Sequence, residues 1–179
     1  MKIDNLPEGF YLKTENASLV EKKDAFLDEC FFSRRSGPCH AIRLESSQIL
    51  SLSYLVFSDK DEIIANIQIW SITAGDVPAA LMGPLVVDPK FRGLGLGKYL
   101  TNLVIEQAKA ENIGALFLIG DRAYYEKFGF SHQLTKNFYI PQTFGSYDPN
   151  RFLAMELKQD YLKNISGCLL PAKITIFSN

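Results

Sequence analysis

The sequence predicts an α+β domain: a mixed sheet, antiparallel in its first half, that turns parallel around one central helix. Three observations predict it. The segments 49–58, 63–73 and 77–87 are apolar, rich in β-branched residues and separated only by the short turns DKDE and AGD. Strands joined by turns that short pair antiparallel. From Lys98 to Asn112 the apolar residues Leu100, Leu103, Val104 and Ala108 recur at helical spacing. The apolar run ALFLIG (115–120) follows at once, and strand, helix and strand in succession imply a parallel crossover.

Taken in order, FYLKT (10–14) reads as a short strand. Asn16 to Phe32 reads as an amphipathic helix with Leu19, Val20, Ala25, Phe26, Leu27 and Cys30 on its apolar face. SRRSGPCH (33–40) is a loop, with a short helical segment near 40–45. In 63–73, Ile67, Gln68 and Ile69 alternate apolar and polar, as a strand does. The strand 77–87 contains Gly83-Pro84. Proline cannot donate to a ladder and glycine weakens a strand, so the pair marks a bulge that splays this strand from its parallel neighbour at 115–120. Asn112 and Gly114 stop the central helix. A short helix spans about Arg122 to Phe128 and is closed by Gly129. Phe138–Ile140, Phe152–Leu157 and Ala172–Phe177 are further strand candidates, with a helix near 159–165.

With 179 residues, the chain fits a single domain, 1–179, and is long enough to bury roughly 70% of its unfolded surface. Nineteen basic residues against twenty acidic ones leave a net charge of −1, so no global field draws in nucleic acid or an anionic membrane. Cys30, Cys39 and Cys168 are an odd, sparse set without a C-x-x-C pair, and His40 and His132 are the only histidines. Neither a disulfide framework nor a metal site is expected. The first sixteen residues lack an apolar signal region, and no apolar run approaches the ~20 residues of a membrane span. A reduced, cytoplasmic setting is the expectation.

FRGLGLGKYL (91–100) lies between a strand and a helix. A P-loop needs G-x-x-x-x-G-K-[ST], but Tyr99 follows Gly97-Lys98 and Arg92 stands where the first glycine belongs. The dinucleotide fingerprint G-x-G-x-x-G follows the first strand of its fold; here the spacing is G-x-G-x-G and three strands precede it. ATP and NAD are both poorly supported. Alternate glycines let successive amides turn toward one point, and the helix N-terminus adds its own donors. With Arg92 and Lys98, the loop is a seat for a pyrophosphate; a tight turn with glycines chosen for packing is the competing reading. The bulge at Gly83-Pro84 would free backbone groups to pair with an extended ligand such as pantetheine.

LVVDPKFRGLGLGKYL resembles the motif of the GNAT (Gcn5-related) N-acetyltransferases, in which Q/R-x-x-G-x-G/A binds the pyrophosphate of acetyl-CoA; Arg92, Gly95 and Gly97 match it. YYEKFGF (124–130) resembles the family's second signature, aromatic-Tyr-x-x-x-Gly-Phe. LIGDRAYYEKFGF, NRFLAMEL and ISG together look like a bacterial branch of the family, in which Pro or Ala usually stands near Arg122. The resemblance is strong over 77–132, looser over 150–168 and weak over the first 60 residues.

The resemblance implies the GNAT fold and acetyl transfer from acetyl-CoA to a primary amine of a small molecule or protein, directly in a ternary complex, without a metal. The cofactor-binding residues it implies are Leu85, Val86 and Val87 on the bulged strand, then Arg92, Gly93, Leu94, Gly95, Leu96, Gly97 and Lys98. Tyr125 falls on the family's tyrosine, which often protonates the departing thiolate, and Tyr124 on the preceding aromatic; packing alone would also explain both. Some relatives take their base from a glutamate on the strand before the loop, but 77–87 holds no acid. No base is visible: Asp88 lies at the strand end, Asp121 reads first as a helix cap, and deprotonation through ordered water is an equal alternative. His132 reads as a surface or packing residue and His40 and Cys39 as structural; direct transfer in the family also speaks against a cysteine acetyl-enzyme. The acceptor pocket is expected from the first helix, the loop near 33–40 and the chain around 138–150, with Arg34 and Arg35 either reading an acidic acceptor or forming a solvated pair. Many members dimerise, which leaves a homodimer open. A non-catalytic acetyl-CoA-binding regulatory domain on the same fold is the alternative.

Overall fold

The computed structural model describes residues 6–31 and 36–173. Its elements are β1 (Phe10–Thr14), α1 (Val20–Phe31), α2 (Pro38–Glu45), β2 (Tyr54–Ser58), β3 (Ile63–Ala74), β4 (Val77–Val87), α3 (Leu96–Ala110), β5 (Ala115–Ile119), α4 (Arg122–Tyr125), β6 (Phe138–Tyr139), β7 (Phe152–Glu156) and β8 (Gly167–Pro171). The sheet runs β1-β2-β3-β4-β5-β7, with β8 beside β3 and β6 beside β8. Pairing is antiparallel from β1 to β4, parallel between β4 and β5, and antiparallel between β5 and β7. The meander and the crossover are therefore as the turn lengths and apolar periods predict.

The two faces of the sheet are covered by different helices. Leu96, Leu100 and Val104 of α3 pack on Ile64, Ile67 and Leu116. On the other face, Phe26 and Leu27 of α1 meet Leu55, Phe57 and Val86, while Ile42 of α2 joins Leu81 and Phe117. Each such side chain contributes about 1.5–3 kcal/mol when fully buried. The helices therefore hold the sheet rigid at its centre, where β4 and β5 meet.

Several sequence expectations are corrected. The helix expected from Asn16 begins at Val20: Asn16 caps a 3-10 turn over Ala17–Leu19, its Oδ1 accepting the Ser18 N–H at 3.0 Å. Phe32 lies outside the described residues. Val20 and Ala25 of its expected apolar face point outward, whereas Lys23 is buried. The reason is Glu15, buried just after β1: its Oε1 lies 2.6 Å from Lys23 Nζ, and its Oε2 accepts from Gln48 and Gln68 at 2.7 and 3.2 Å. The strand expected at 49–58 starts only at Tyr54, because Leu50–Leu52 form a 3-10 turn closed by the Ser53 N–H on the Leu50 carbonyl.

The helix expected near 159–165 is a series of turns. Asp160 and Asn164 take left-handed φ values of 56° and 62°, and the Leu162 N–H is claimed by Glu156 Oε1 at 2.7 Å. Tyr161 from these turns covers Gly114, where a Cβ would come within 2.1 Å of its ring. Gly114 thus serves packing, while Asn112, at φ 63°, takes the left-handed turn after α3. A strand not expected from the sequence lies at Gly167–Pro171; of the strand expected at 172–177, residues 174–177 lie outside the described ones. Among the described residues, no helix is long and apolar enough to cross a membrane.

Candidate functional site

The β4–β5 junction is a fork. Only Ala80↔Leu116 and Leu81↔Phe117 pair, and beyond them the strands separate. The cause is the expected bulge: on β3 a single residue, Gln68, separates Ile67 and Ile69, while Gly83 and Pro84 separate their partners Leu85 and Met82 on β4. Past the bulge, regular antiparallel register with β3 resumes at Leu85, Val86 and Val87. The Asp88 N–H bonds to Ile64 on β3 at 2.9 Å. Donors alternate along a strand, so the amides of Leu85 and Val87 turn into the fork and that of Val86 turns toward β3. The Val87 carbonyl also faces away from β3 and accepts from Arg92 Nε at 3.4 Å.

The glycine loop closes one end of the fork. Gly93 and Gly95 have φ values of 84° and 82°, and a Cβ on either would meet no atom within 4 Å. These two residues take left-handed φ values with open space beside them, the kind of backbone from which an anion nest is built. Gly95 is the N-cap of α3 and provides no side-chain cap, so the first-turn amides of α3 remain available. Gly97 is needed for close approach: a Cβ there would lie 3.0 Å from the Tyr124 hydroxyl. These features fit a pyrophosphate.

Fork and loop open into one cleft of about 1020 Å³. Leu85, Val86, Val87, Arg92, Gly93, Gly95, Leu96, Gly97 and Lys98 line it, as do Tyr124 and Tyr125. Leu94 points outward, 49% exposed, and does not line the cleft. The two tyrosines have different places. Tyr124 reaches over α3: its hydroxyl lies by Gly97 and pairs with Thr101, which in turn donates to the Gly97 carbonyl at 2.8 Å. Tyr125 packs against Phe130 and against Gly120 at the end of β5, the free arm of the fork. Burial pushes both phenols above their usual value, Tyr125 much further, with Tyr124 and Asp121 adding to it.

The opposite wall comes from α1, α2 and the chain before β7. It includes Cys30 and Phe31, residues 36–40, Arg43, Ser146–Asp148 and Arg151. The expected acceptor elements do converge here, though Arg34 and Arg35 lie outside the described residues. Cys39 and His40 reach the cleft too. Burial pushes the Cys39 thiol up, while the Arg43 charge and a hydrogen bond with the Ile119 backbone pull the other way. The carboxylates named as base candidates act as caps: Asp88 accepts the Lys90 N–H at 2.8 Å and Asp121 the Tyr124 N–H at 3.0 Å. His132 Nδ1 lies 3.2 Å from the Phe152 carbonyl oxygen, away from the cleft. Arg122 pairs with Glu126 at 2.6 Å on the exposed side of α4. Sequence reasoning did not single out Arg43 and Arg151, which line the cleft; apart from charge, neither carried a local pattern that would do so.

Residues 21–130 match the model of the Acetyltransferase (GNAT) family. Among solved structures, the chain is similar to a GNAT family N-acetyltransferase, YhbS, from Escherichia coli in complex with CoA. The identity is 20% over 94% of this chain and 93% of that one, with a TM-score of 0.78. A GNAT family acetyltransferase from Brucella melitensis in complex with acetyl-CoA is 18% identical over 91% and 96% of the two chains, with a TM-score of 0.67. An acetyltransferase of the GNAT family from Staphylococcus aureus is 21% identical over 83% and 99%, with a TM-score of 0.59. No curated protein matches.

Proposed function

The chain belongs to the acetyltransferase (GNAT) family, and on that premise we propose that it moves the acetyl group of acetyl-CoA to a primary amine of a small molecule or protein, directly and in a ternary complex. The observation that carries this reading is the single cleft joining the glycine nest, the β4–β5 fork and the α4 tyrosines. The complexes of the Escherichia coli and Brucella melitensis proteins with CoA and acetyl-CoA support the choice of donor.

Acetyl-CoA supplies the acetyl group as an activated thioester. Gly93, Gly95, the first amides of α3, Arg92 and Lys98 hold the pyrophosphate. The amides of Leu85 and Val87, turned into the fork, bind the pantetheine and polarise the thioester carbonyl. Val86 supports this edge through its hydrogen bonds to β3. The amine nitrogen attacks the carbonyl carbon and the carbon–sulfur bond breaks. Tyr125 gives its Oη proton to the departing sulfur and regains one from solvent. Its raised pKa keeps it protonated until that moment. Tyr124, with its hydroxyl at Gly97, walls the pyrophosphate end. β4 carries no carboxylate, so the proton lost by the amine leaves through water.

Calorimetric titration with acetyl-CoA, followed by thiol release over a panel of primary amines, tests the proposal. Saturable binding and amine-dependent CoA release are expected. Absence of acetyl-CoA binding refutes it.

A further inference from the structure

We propose that the acceptor is a small primary amine bearing its own carboxylate, and that the guanidinium groups of Arg43 and Arg151 hold that carboxylate at the mouth of the fork. The proposal rests on the acetyltransferase reading of the cleft. The two arginines are far apart in sequence, and the fold brings one to each arm. Nη1 of Arg43 lies 3.9 Å from the position a Cβ on Gly83 would take, at the bulge of β4. Arg151 Nε donates to the Gly120 carbonyl, at the end of β5, across 3.2 Å. Both side chains line the cleft.

Their position separates them from the donor's phosphates. Arg92 and Lys98 serve the glycine loop, on the far side of the Leu85 and Val87 amides. Arg43 and Arg151 stand on the wall made by α2 and the chain before β7, where the acceptor enters. The Nε of Arg151 is fixed on a carbonyl, which aims its terminal nitrogens and restrains the planar group. A guanidinium so restrained suits a carboxylate, which can take two parallel N–H donors. Two acidic residues line the same cleft, Asp121 before α4 and Asp148 before β7, and each accepts a backbone N–H at the start of a short helical turn, at 3.0 and 2.9 Å. They are held in place there as caps. The cleft thus carries both signs of charge beside the two guanidinium groups, and an amine with a neighbouring carboxylate matches it.

The test is a panel of α- and β-amino acids, each paired with its carboxamide, assayed by CoA release. For the preferred pair, the acid should exceed the amide in kcat/KM by about a hundredfold, since a site built for a polar group rejects analogues lacking it. Arg43→Gln and Arg151→Gln should each cut that preference to below about tenfold, and Arg43→Lys should fall between because it keeps charge without the planar fork. Acetyl-CoA affinity, measured by calorimetry on the same proteins, shows that each variant is folded. N-acetylated amino acids and their carboxamides, titrated into CoA-saturated protein, read the clamp without turnover. Equal use of acid and amide by the wild type overturns the clamp and leaves acetyl transfer standing. An Arg43-dependent binding preference without turnover of any amine sustains the clamp and overturns acetyl transfer. No preference in either assay overturns the clamp.

Discussion

Trp70 donates its indole N–H to the Gly83 carbonyl oxygen across 3.0 Å and so ties β3 to the bulge of β4. Gly83 sits at φ 131°, a conformation that side-chain-bearing residues rarely adopt. The tie holds the segment from which the Leu85 and Val87 amides are aimed. Trp70→Phe keeps an aromatic ring but removes the donor and part of the indole's bulk. We expect it to cost about 1–3 kcal/mol in urea unfolding, the usual penalty for leaving a buried acceptor unpaired. It should also lower kcat/KM by about tenfold as the bulge relaxes. Trp70 is the only tryptophan in the chain, so acetyl-CoA should change the intrinsic fluorescence. A silent titration with calorimetrically proven binding would show that the bulge does not sense the ligand.

The bulge itself was legible in the sequence, because Gly83-Pro84 is a local signal inside an apolar strand. The same is true of the meander, the central helix and the glycine loop, whose meaning lies within a few consecutive residues. Lys23 was not legible. A lysine on an otherwise apolar helix face reads as exposed until Glu15, Gln48 and Gln68 are brought to it by three separate elements. The turns at 159–165 were misread because Glu156 reaches forward to claim the Leu162 amide. Arg43 and Arg151 gained meaning only from Gly83 and Gly120, which sequence order keeps apart. The residues proposed to hold the donor are legible from local sequence; those proposed to hold the acceptor are brought together by long-range contacts.

Gly97→Ala tests the contact between the glycine loop and α4. The added methyl would start 3.0 Å from the Tyr124 hydroxyl. Tyr124 has little room to retreat, since its ring packs on Tyr125 at 4.9 Å and Phe128 at 5.2 Å. Overpacking of this kind costs about 1–3 kcal/mol. We expect a lower melting temperature and an acetyl-CoA dissociation constant raised by about tenfold, roughly the 1.4 kcal/mol that a tenfold change represents. Unaltered affinity would mean that Tyr124 moves without disturbing the nest.

The buried Lys23–Glu15 pair predicts strong non-additivity. Lys23→Met leaves the Glu15 carboxylate without its cation while Gln48 and Gln68 still point at it. Breaking such a pair from one side costs about 3–5 kcal/mol. The double variant Glu15→Gln, Lys23→Met carries no buried charge and should recover most of that loss. Urea unfolding of the four proteins in a double-mutant cycle measures the coupling. Additive losses would show that the two side chains do not act as a pair.

Tyr125 links the chemistry to pH. Burial, followed by its neighbours Tyr124 and Asp121, raises its pKa well above the ordinary tyrosine value. The fold therefore favours the neutral phenol over the phenolate. A raised folded-state pKa contributes stability that is fully present below the unfolded value, about 10, and is lost as pH climbs toward the folded value. Urea unfolding should thus show less stability at pH 10.5 than at pH 8, and Tyr125→Phe should flatten part of that decline. The same shift keeps the proposed acid charged with its proton, so kcat should show no basic limb from this residue below about pH 10. Tyr125→Phe should lower kcat by at least about tenfold with KM nearly unchanged, the pattern of a group that acts only as the thiolate leaves. An unchanged kcat would remove Tyr125 from the reaction. Tyr124→Phe, compared in the same assay, should instead weaken acetyl-CoA binding, because its hydroxyl stands at Gly97 and Thr101 and not at the end of β5.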